Sequence, residues 1–251
     1  YKLDHTPLTV NPSVLAHELA HDYFNEAVMK RVWPLLERVE KLEQNIIEAH
    51  LHGFTEDELA LAETQAATET PTKHTEPLES RIKFNLRSLR VVNEGLADYH
   101  QFVATGSVQF LKASFGNPSN KSRDLDQPIA VELFQVDKYP DLQISEVYSY
   151  GTTIARLLYQ LSEKHQWAPN TESSDLVASN LTHAERLQRF VLSRLDSVGR
   201  SVRERFEGEV TLPSDLVEVI FAPIDEVPQK VCASFEAALP PSSLQRLFNG
   251  S

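Results

Sequence analysis

Cysteine is almost absent from this chain, with Cys232 alone among 251 residues. A single thiol excludes intrachain disulfides and any zinc site built from several thiolates. No stretch reaches the roughly 20 consecutive apolar residues that a membrane-spanning helix needs, which argues against a membrane-embedded protein. At 251 residues the chain can nevertheless bury a substantial core within one domain.

Positively charged residues are also scarce. The chain has 24 lysines and arginines against 36 aspartates and glutamates, which gives a formal net charge of −12. Its basic residues form no run, whereas a surface that binds nucleic acid needs clustered positive charge. Nucleic acid is therefore not expected as a partner.

The most specific chemical signal lies near the start of the chain, where residues 17–21 read His-Glu-Leu-Ala-His. Positions i and i+4 of a helix share one face, so His17 and His21 can bind one metal ion while Glu18 reaches a water bound to it. The neighbouring residues favour a helix, and Ser13 is placed to cap it. Because so short a pattern occurs by chance in roughly a few per cent of chains of this size, a second element is needed.

A downstream acidic pair supplies that second element. A catalytic zinc site needs a third protein ligand and leaves a fourth position open for water. In the sequence from Val92 to Tyr99, Glu94 and Asp98 lie one helical turn apart. Glu94 can therefore bind the metal while Asp98 accepts the second ring N–H of a histidine ligand. Taken alone, such a pair usually marks a solvated acidic face, but its position after the histidine pattern favours a metal site.

The combination of His-Glu-x-x-His with a later Asn-Glu-x-x-x-Asp resembles the gluzincin zinc metallopeptidases, which include the thermolysin, fungalysin and neprilysin groups. The resemblance covers mainly residues 10–30 and 90–105. It implies that Zn²⁺ is bound by three residues of this chain, which are His17, His21 and Glu94.

The same resemblance implies further roles around those ligands. Glu18 would be the general base, Asp98 would orient His17, and Asn93 would orient His21. The resemblance therefore predicts that two helices of this chain meet at one metal ion.

A third segment, residues 145–159, resembles the downstream gluzincin helix, in which a polar side chain ahead of a glycine faces the oxyanion. Several such families have a histidine there, whereas this chain has Tyr148 or Tyr150 ahead of Gly151. A phenol O–H can donate to developing negative charge, so either tyrosine could take this role. The alternative is a tyrosine that packs in the core and whose hydroxyl finds a partner there.

The remaining pattern predicts a mainly α fold, a zincin-like catalytic helical lobe with little β structure in a single domain over residues 1–251. Helical periodicity is clear over residues 145–165 and 182–206, and residues 170–251 are predicted to form a helical C-terminal part. The second of these helices is predicted to carry an apolar stripe made of Leu187, Phe190, Val191, Leu195, Val198 and Val202. Residues 63–80 are rich in threonine, glutamate and proline, and we expect them to form an exposed, mobile insertion.

Gluzincins also have an upstream β-rich lobe whose edge strand holds the substrate backbone. Only residues 2–10 could represent its last strand, so we expect an upstream part of the protein to be missing from this chain. The resemblance favours export and thus a secreted or periplasmic location. The expected partners are a peptide or protein substrate and an upstream segment of the same protein.

The function predicted from these observations is that of a zinc-dependent endopeptidase that hydrolyses peptide bonds through a zinc-activated water. One alternative is a catalytically inactive gluzincin-like domain that binds zinc as a structural or partner-binding module. Another is a plain helical interaction module in which the histidine pattern is accidental, and this alternative predicts no stoichiometric zinc. Substrate specificity depends on side chains that only the fold brings together, so the sequence does not reveal it.

Overall fold

The computed structural model describes residues 10–34, 37, 78–109, 123–127, 144–169, 180–205 and 213–221. This part of the chain is mostly helical and contains no strand, which confirms the mainly α prediction. Its α-helices are labelled α1 (Pro12–Phe24), α2 (Leu78–Thr105), α3 (Ile144–Tyr159), α4 (His183–Arg205) and α5 (Pro213–Phe221). None of the helices in the described ranges is long and apolar enough to cross a membrane.

Helix α1 begins at Pro12, and the predicted cap at Ser13 is wrong. The side chain of Asn11 accepts a hydrogen bond from the backbone N–H of Ser13 at 2.9 Å, so Asn11 is the cap. Asparagine caps as well as serine does, and proline suits the first helical position because its φ is already helical. Ser13 is instead buried, and its Oγ accepts from Gln101 of α2 at 3.3 Å.

Helix α1 runs directly into a π-helical turn, Asn25–Met29, and then into helical residues 30–34. The Nε of Arg31 donates to the carbonyl of Ala27 at 3.2 Å. A Cβ atom added to Gly199 of α4 would lie 2.5 Å from that same carbonyl oxygen. Helix α4 therefore packs backbone to backbone against this turn, which fixes the C-terminal end of α1.

Helices α2 and α3 cross at a pair of glycines. A Cβ atom added to Gly95 would lie 2.5 Å from the carbonyl oxygen of Gly151, and one added to Gly151 would lie 2.7 Å from the Cβ of Glu94. Only glycine permits so close an approach. The crossing therefore places the first half of α3 directly beside Glu94.

The core lies where α2 packs against α3 and where α4 packs against α2, the π-helical turn after α1, and α5. The helices predicted over residues 145–165 and 182–206 are confirmed. The apolar stripe predicted on the second of these is buried in full, and it consists of Leu187, Phe190, Val191, Leu195, Val198 and Val202. The period of the pattern therefore identified the inward face of α4 correctly.

The predicted insertion and C-terminal part are described only in part. Residues 63–77 lie outside the described residues, whereas Leu78–Ser80 already belong to α2. In the C-terminal part, residues 183–205 and 213–221 are helical. The predicted upstream strand lies almost entirely outside the described residues.

Candidate metal centre

The three predicted metal ligands converge between α1 and α2. The Nε2 atoms of His17 and His21 are 3.0 Å apart. The carboxylate of Glu94 lies 3.3 Å from Nε2 of His17 and 3.7 Å from Nε2 of His21. One ligand atom from each residue can be chosen so that all lie within 4.8 Å of one another. Two side chains of α1 and one side chain of α2 thus converge on a single position.

These separations fit a zinc ion. Two ligand atoms that each lie about 2.0 Å from a tetrahedral zinc are about 3.3 Å apart. The two Nε2 atoms are 3.0 Å apart, Oε2 of Glu94 lies 3.3 Å from His17, and Oε1 of Glu94 lies 3.7 Å from His21. Two imidazole nitrogens and one carboxylate also form a donor set that catalytic zinc sites use, with a fourth position left for water. The residues present can therefore hold Zn²⁺.

The outward nitrogen of each imidazole faces an oxygen atom. Nδ1 of His21 lies 2.9 Å from Oδ1 of Asn93, and Nδ1 of His17 lies 3.2 Å from Oδ1 of Asp98. These oxygens favour the tautomers with a proton on Nδ1, which leave the Nε2 lone pairs directed toward each other. Two lone pairs at 3.0 Å repel unless a proton or a cation lies between them. The surroundings of the rings therefore favour positive charge at this point.

Asp98 is the most heavily bonded group of the site and is only 1% exposed. Arg123 donates to both of its carboxylate oxygens, and the hydroxyl of Thr152 lies 2.9 Å from Oδ2. Burial raises the pKa of Asp98, but the hydrogen bond with His17 and the charge and hydrogen bonds of Arg123 outweigh it and hold the pKa below its usual value. Asp98 therefore stays ionised although it is buried.

The pKa of His17 shifts in the opposite direction for a related reason. Burial lowers the pKa of His17, but hydrogen bonds with Asp98 and Glu94 and the charge of Asp98 outweigh it, so the net shift is upward. The two carboxylates thus stabilise positive charge at the ring. A metal ion bound there would supply that charge in place of a proton.

Arg123 is a site residue that the sequence did not predict, and so is Thr152. Besides its bonds to Asp98, Arg123 has its Nη2 3.5 Å from Oε2 of Glu94. Its guanidinium also lies 5.1 Å from the centre of the Tyr148 ring, a cation–π contact. No spacing rule connects Arg123 to the helical motifs, because it lies between α2 and α3 and reaches the site only through tertiary packing.

Two predicted groups lie at the exposed edge of the site. Glu18 lies on the solvent-exposed face of α1, immediately after His17. Tyr148 is 43% exposed and packs against Arg123, whereas Tyr150 is half-buried and packs against the hydrophobic core. Tyr148 thus contacts a group that is bonded to the site.

His100 lies close to the site but does not join the ligand set. Its ring contacts Gln188 of α4, and it lines a small, mostly apolar cavity between α1, α2 and α4. Burial and the charge of His17 lower the pKa of His100, which favours its neutral form. It therefore packs behind the ligands as an uncharged side chain.

Comparisons of the chain with protein-family models, with curated proteins and with solved structures find no match. In the described residues the site combines three convergent ligands, two buried or half-buried partners of the imidazoles, an exposed carboxylate and a guanidinium.

Proposed function

We propose that this chain is a zinc-dependent endopeptidase of the gluzincin type. One observation carries the proposal: His17, His21 and Glu94 converge, and the outward nitrogens of the two imidazoles face Asp98 and Asn93. An accidental sequence match explains neither the convergence across two helices nor the oriented rings. Both features support a site that has been built to hold a metal ion.

Zinc held by the three ligands would lower the pKa of a coordinated water and polarise a substrate carbonyl. Glu18 then has the general-base role, because its carboxylate follows His17 on the exposed side of α1. It accepts a proton from the attacking water as the new carbon–oxygen bond forms. It then donates that proton to the amine nitrogen as the carbon–nitrogen bond breaks.

Two other side chains supply charge stabilisation in this proposal. The Tyr148 hydroxyl is the donor to the oxyanion, and its exposed position is better suited to this than the packing of Tyr150 in the core. Arg123 carries a positive charge beside Glu94 and Asp98 and lies against the Tyr148 ring. The cation and the phenol thus lie on the same side of the site.

The proposal includes partners and a location. The substrate is a peptide or protein. The location that goes with a gluzincin-type activity is secreted or periplasmic. The formal charge of −12 without a basic run supports the exclusion of nucleic acid as a partner.

A second function is favoured by a specific observation at the same site. The guanidinium of Arg123 lies 3.5 Å from the Glu94 oxygen, and a tyrosine stands where several gluzincin families have a histidine. Both features are compatible with a gluzincin-like domain that binds zinc without catalysis and acts as a structural or partner-binding module. This alternative predicts one bound zinc and no peptide cleavage.

Cleavage of a diverse fluorogenic peptide library by the zinc-loaded chain tests the proposal, with Glu18→Gln as the matched control. We expect the wild-type chain to cleave peptides and the variant to lose about 10²–10⁴-fold in rate while it still binds one zinc. Cleavage that persists in Glu18→Gln would refute the assigned base. Bound zinc without cleavage by the wild-type chain would support the binding module, and absence of stoichiometric zinc would show that the histidine pattern is accidental.

A further inference from the structure

Arg123 belongs to a short segment outside the α-helices, residues 123–127, which lies between α2 and α3 in the chain. The residues that follow Arg123 fix the position of this segment. Leu125 is buried, and its backbone N–H donates to the carbonyl of Val108 at 2.9 Å. The segment is therefore attached to the chain that leaves the C-terminal end of α2.

A second attachment comes from α3. Arg156 is only 7% exposed, and its Nε donates to the backbone carbonyl of Asp124 at 2.8 Å. A buried guanidinium is costly unless its donors are bonded, so its position calls for an explanation. The carbonyl that it binds belongs to the residue that directly follows Arg123. Arg156 thus holds the main chain at the point from which the Arg123 side chain projects.

We propose that Arg156 is a positioning residue of the metal centre, which acts on Glu94 and Asp98 through Arg123. A bond to the main chain at Asp124 restricts both the place and the direction of the Arg123 side chain. The consequence for peptide hydrolysis rests on the proposed peptidase activity, whereas the consequence for metal binding rests only on the zinc binding that both candidate functions share.

The physical effect of this bond is preorganisation. A long arginine side chain loses considerable rotamer freedom when it is held in one geometry. A fixed main chain reduces the further loss that Arg123 incurs when it bonds to Asp98, whose carboxylate in turn faces His17. Displacement of a positioned group by about 1 Å can cost about 10²-fold in rate. Arg156 therefore matters to the site through the main chain beside Arg123.

The test is a double-mutant cycle on the full chain with Arg156→Met, Arg123→Met and the two combined. Methionine keeps an apolar stem of similar reach and removes the donor. Lys164→Met is the matched control, because Lys164 bonds to Asp126 of the same segment at 2.8 Å but is exposed. Zinc affinity is measured by chelator competition, and kcat and KM are measured separately on a peptide that the wild-type chain cleaves.

We expect Arg156→Met to lower zinc affinity about tenfold, as loss of a group that supports a ligand typically does, and to lower kcat more than it changes KM. In the Arg123→Met background the same change should have little further effect, because residues that act through each other are not additive. Arg156→Lys, which keeps the charge and a donor, should recover part of the loss. Lys164→Met should leave zinc affinity within about twofold of wild type.

Folded Arg156→Met with wild-type zinc affinity would overturn the proposal, and so would losses that multiply in the double variant. If Arg156→Met does not fold, Arg156→Lys takes its place in the cycle with a smaller expected loss and the same criterion. A wild-type chain that binds zinc but cleaves nothing would refute the peptidase and leave the zinc-affinity cycle decisive for Arg156. A wild-type chain that binds no zinc would overturn both.

Discussion

The two imidazoles of the candidate metal centre lie in different surroundings. The side chain of His17 is 4% exposed and faces the buried carboxylate of Asp98, whereas that of His21 is 18% exposed and faces the neutral amide of Asn93. The inner side of the site, around His17 and Asp98, thus consists of charged groups that stabilise one another. The outer side is built from a neutral contact and is the more exposed of the two.

The two sides therefore contribute differently to the fold and to metal binding. The ionised Asp98 is tolerated in the interior because Arg123 and His17 stabilise it, so the inner side contributes to the fold as well as to the metal site. The outer side can change without leaving a buried charge unpaired. We therefore expect inner substitutions to affect folding and metal binding together, and outer substitutions to affect metal binding or rate alone.

The largest effect is expected for Asp98→Ala on the inner side. Removal of one partner from a buried charged network leaves Arg123 and His17 without their acceptor and should cost about 3–5 kcal/mol in the free energy of unfolding. Chemical denaturation in the presence of a chelator measures this cost without any contribution from metal. Asp98→Asn, which keeps the shape and loses the charge, is the control. A loss below about 1 kcal/mol in both variants would mean that the inner side does not support the fold.

The next effect concerns the two tyrosines of α3, of which Tyr148 is the exposed one. Tyr148→Phe should lower kcat by about 10²-fold, as loss of an oxyanion donor does, while stability and zinc affinity stay at the wild-type level. Tyr150→Phe is the matched control, because Tyr150 packs against the core. Steady-state kinetics on one peptide decide between them. If Tyr150→Phe shows the larger loss of kcat, the roles of the two tyrosines must be exchanged.

Asn93→Ala should have a smaller effect, confined to metal binding. Its amide orients His21 from the outer side, and loss of such a partner typically costs about 10-fold or more in metal affinity. The free energy of unfolding of the metal-free protein should change little, in contrast to Asp98→Ala. Chelator competition and denaturation of the same sample make the comparison. A large loss of stability in Asn93→Ala would remove the distinction between the two sides.

The residues of the site differ in how far the sequence predicts them. The i, i+4 spacings of His17 with His21 and of Glu94 with Asp98 encode a shared helix face, so these residues could be chosen before the fold was known. Arg123 could not, since its place depends on how residues 123–127 pack against α2 and α3. Local periodicity specifies which face a residue occupies, but it does not specify which loop approaches that face.

The fold shows the same division between local and tertiary information. The stripe on α4 followed from its period, and all of its members are buried. The crossing at Gly95 and Gly151 did not, because glycine within a helix lowers helix propensity and gives no sign of a partner. The π-helical turn Asn25–Met29 was also not predicted, although it determines how α1 meets α4. Both features that were not predicted, the glycine crossing and the π-helical turn, depend on contacts between elements.

The smallest expected effect tests a neutral member of the inner side. Thr152 is fully buried, and its Oγ1 lies 2.9 Å both from Oδ2 of Asp98 and from the backbone carbonyl of Tyr148. A hydroxyl has one proton, so it donates to one of these acceptors at a time, and the ionised Asp98 is the stronger.

Thr152→Val keeps the shape, removes the donor and should cost about 1 kcal/mol in the free energy of unfolding, whereas Thr152→Ser keeps the donor and should retain the hydrogen bond. In the Asp98→Ala background the valine substitution should cost much less, because the acceptor is already gone. If Thr152→Val costs the same in both backgrounds, the hydroxyl serves the turn of α3 at Tyr148. The inner side would then be held by charged groups alone.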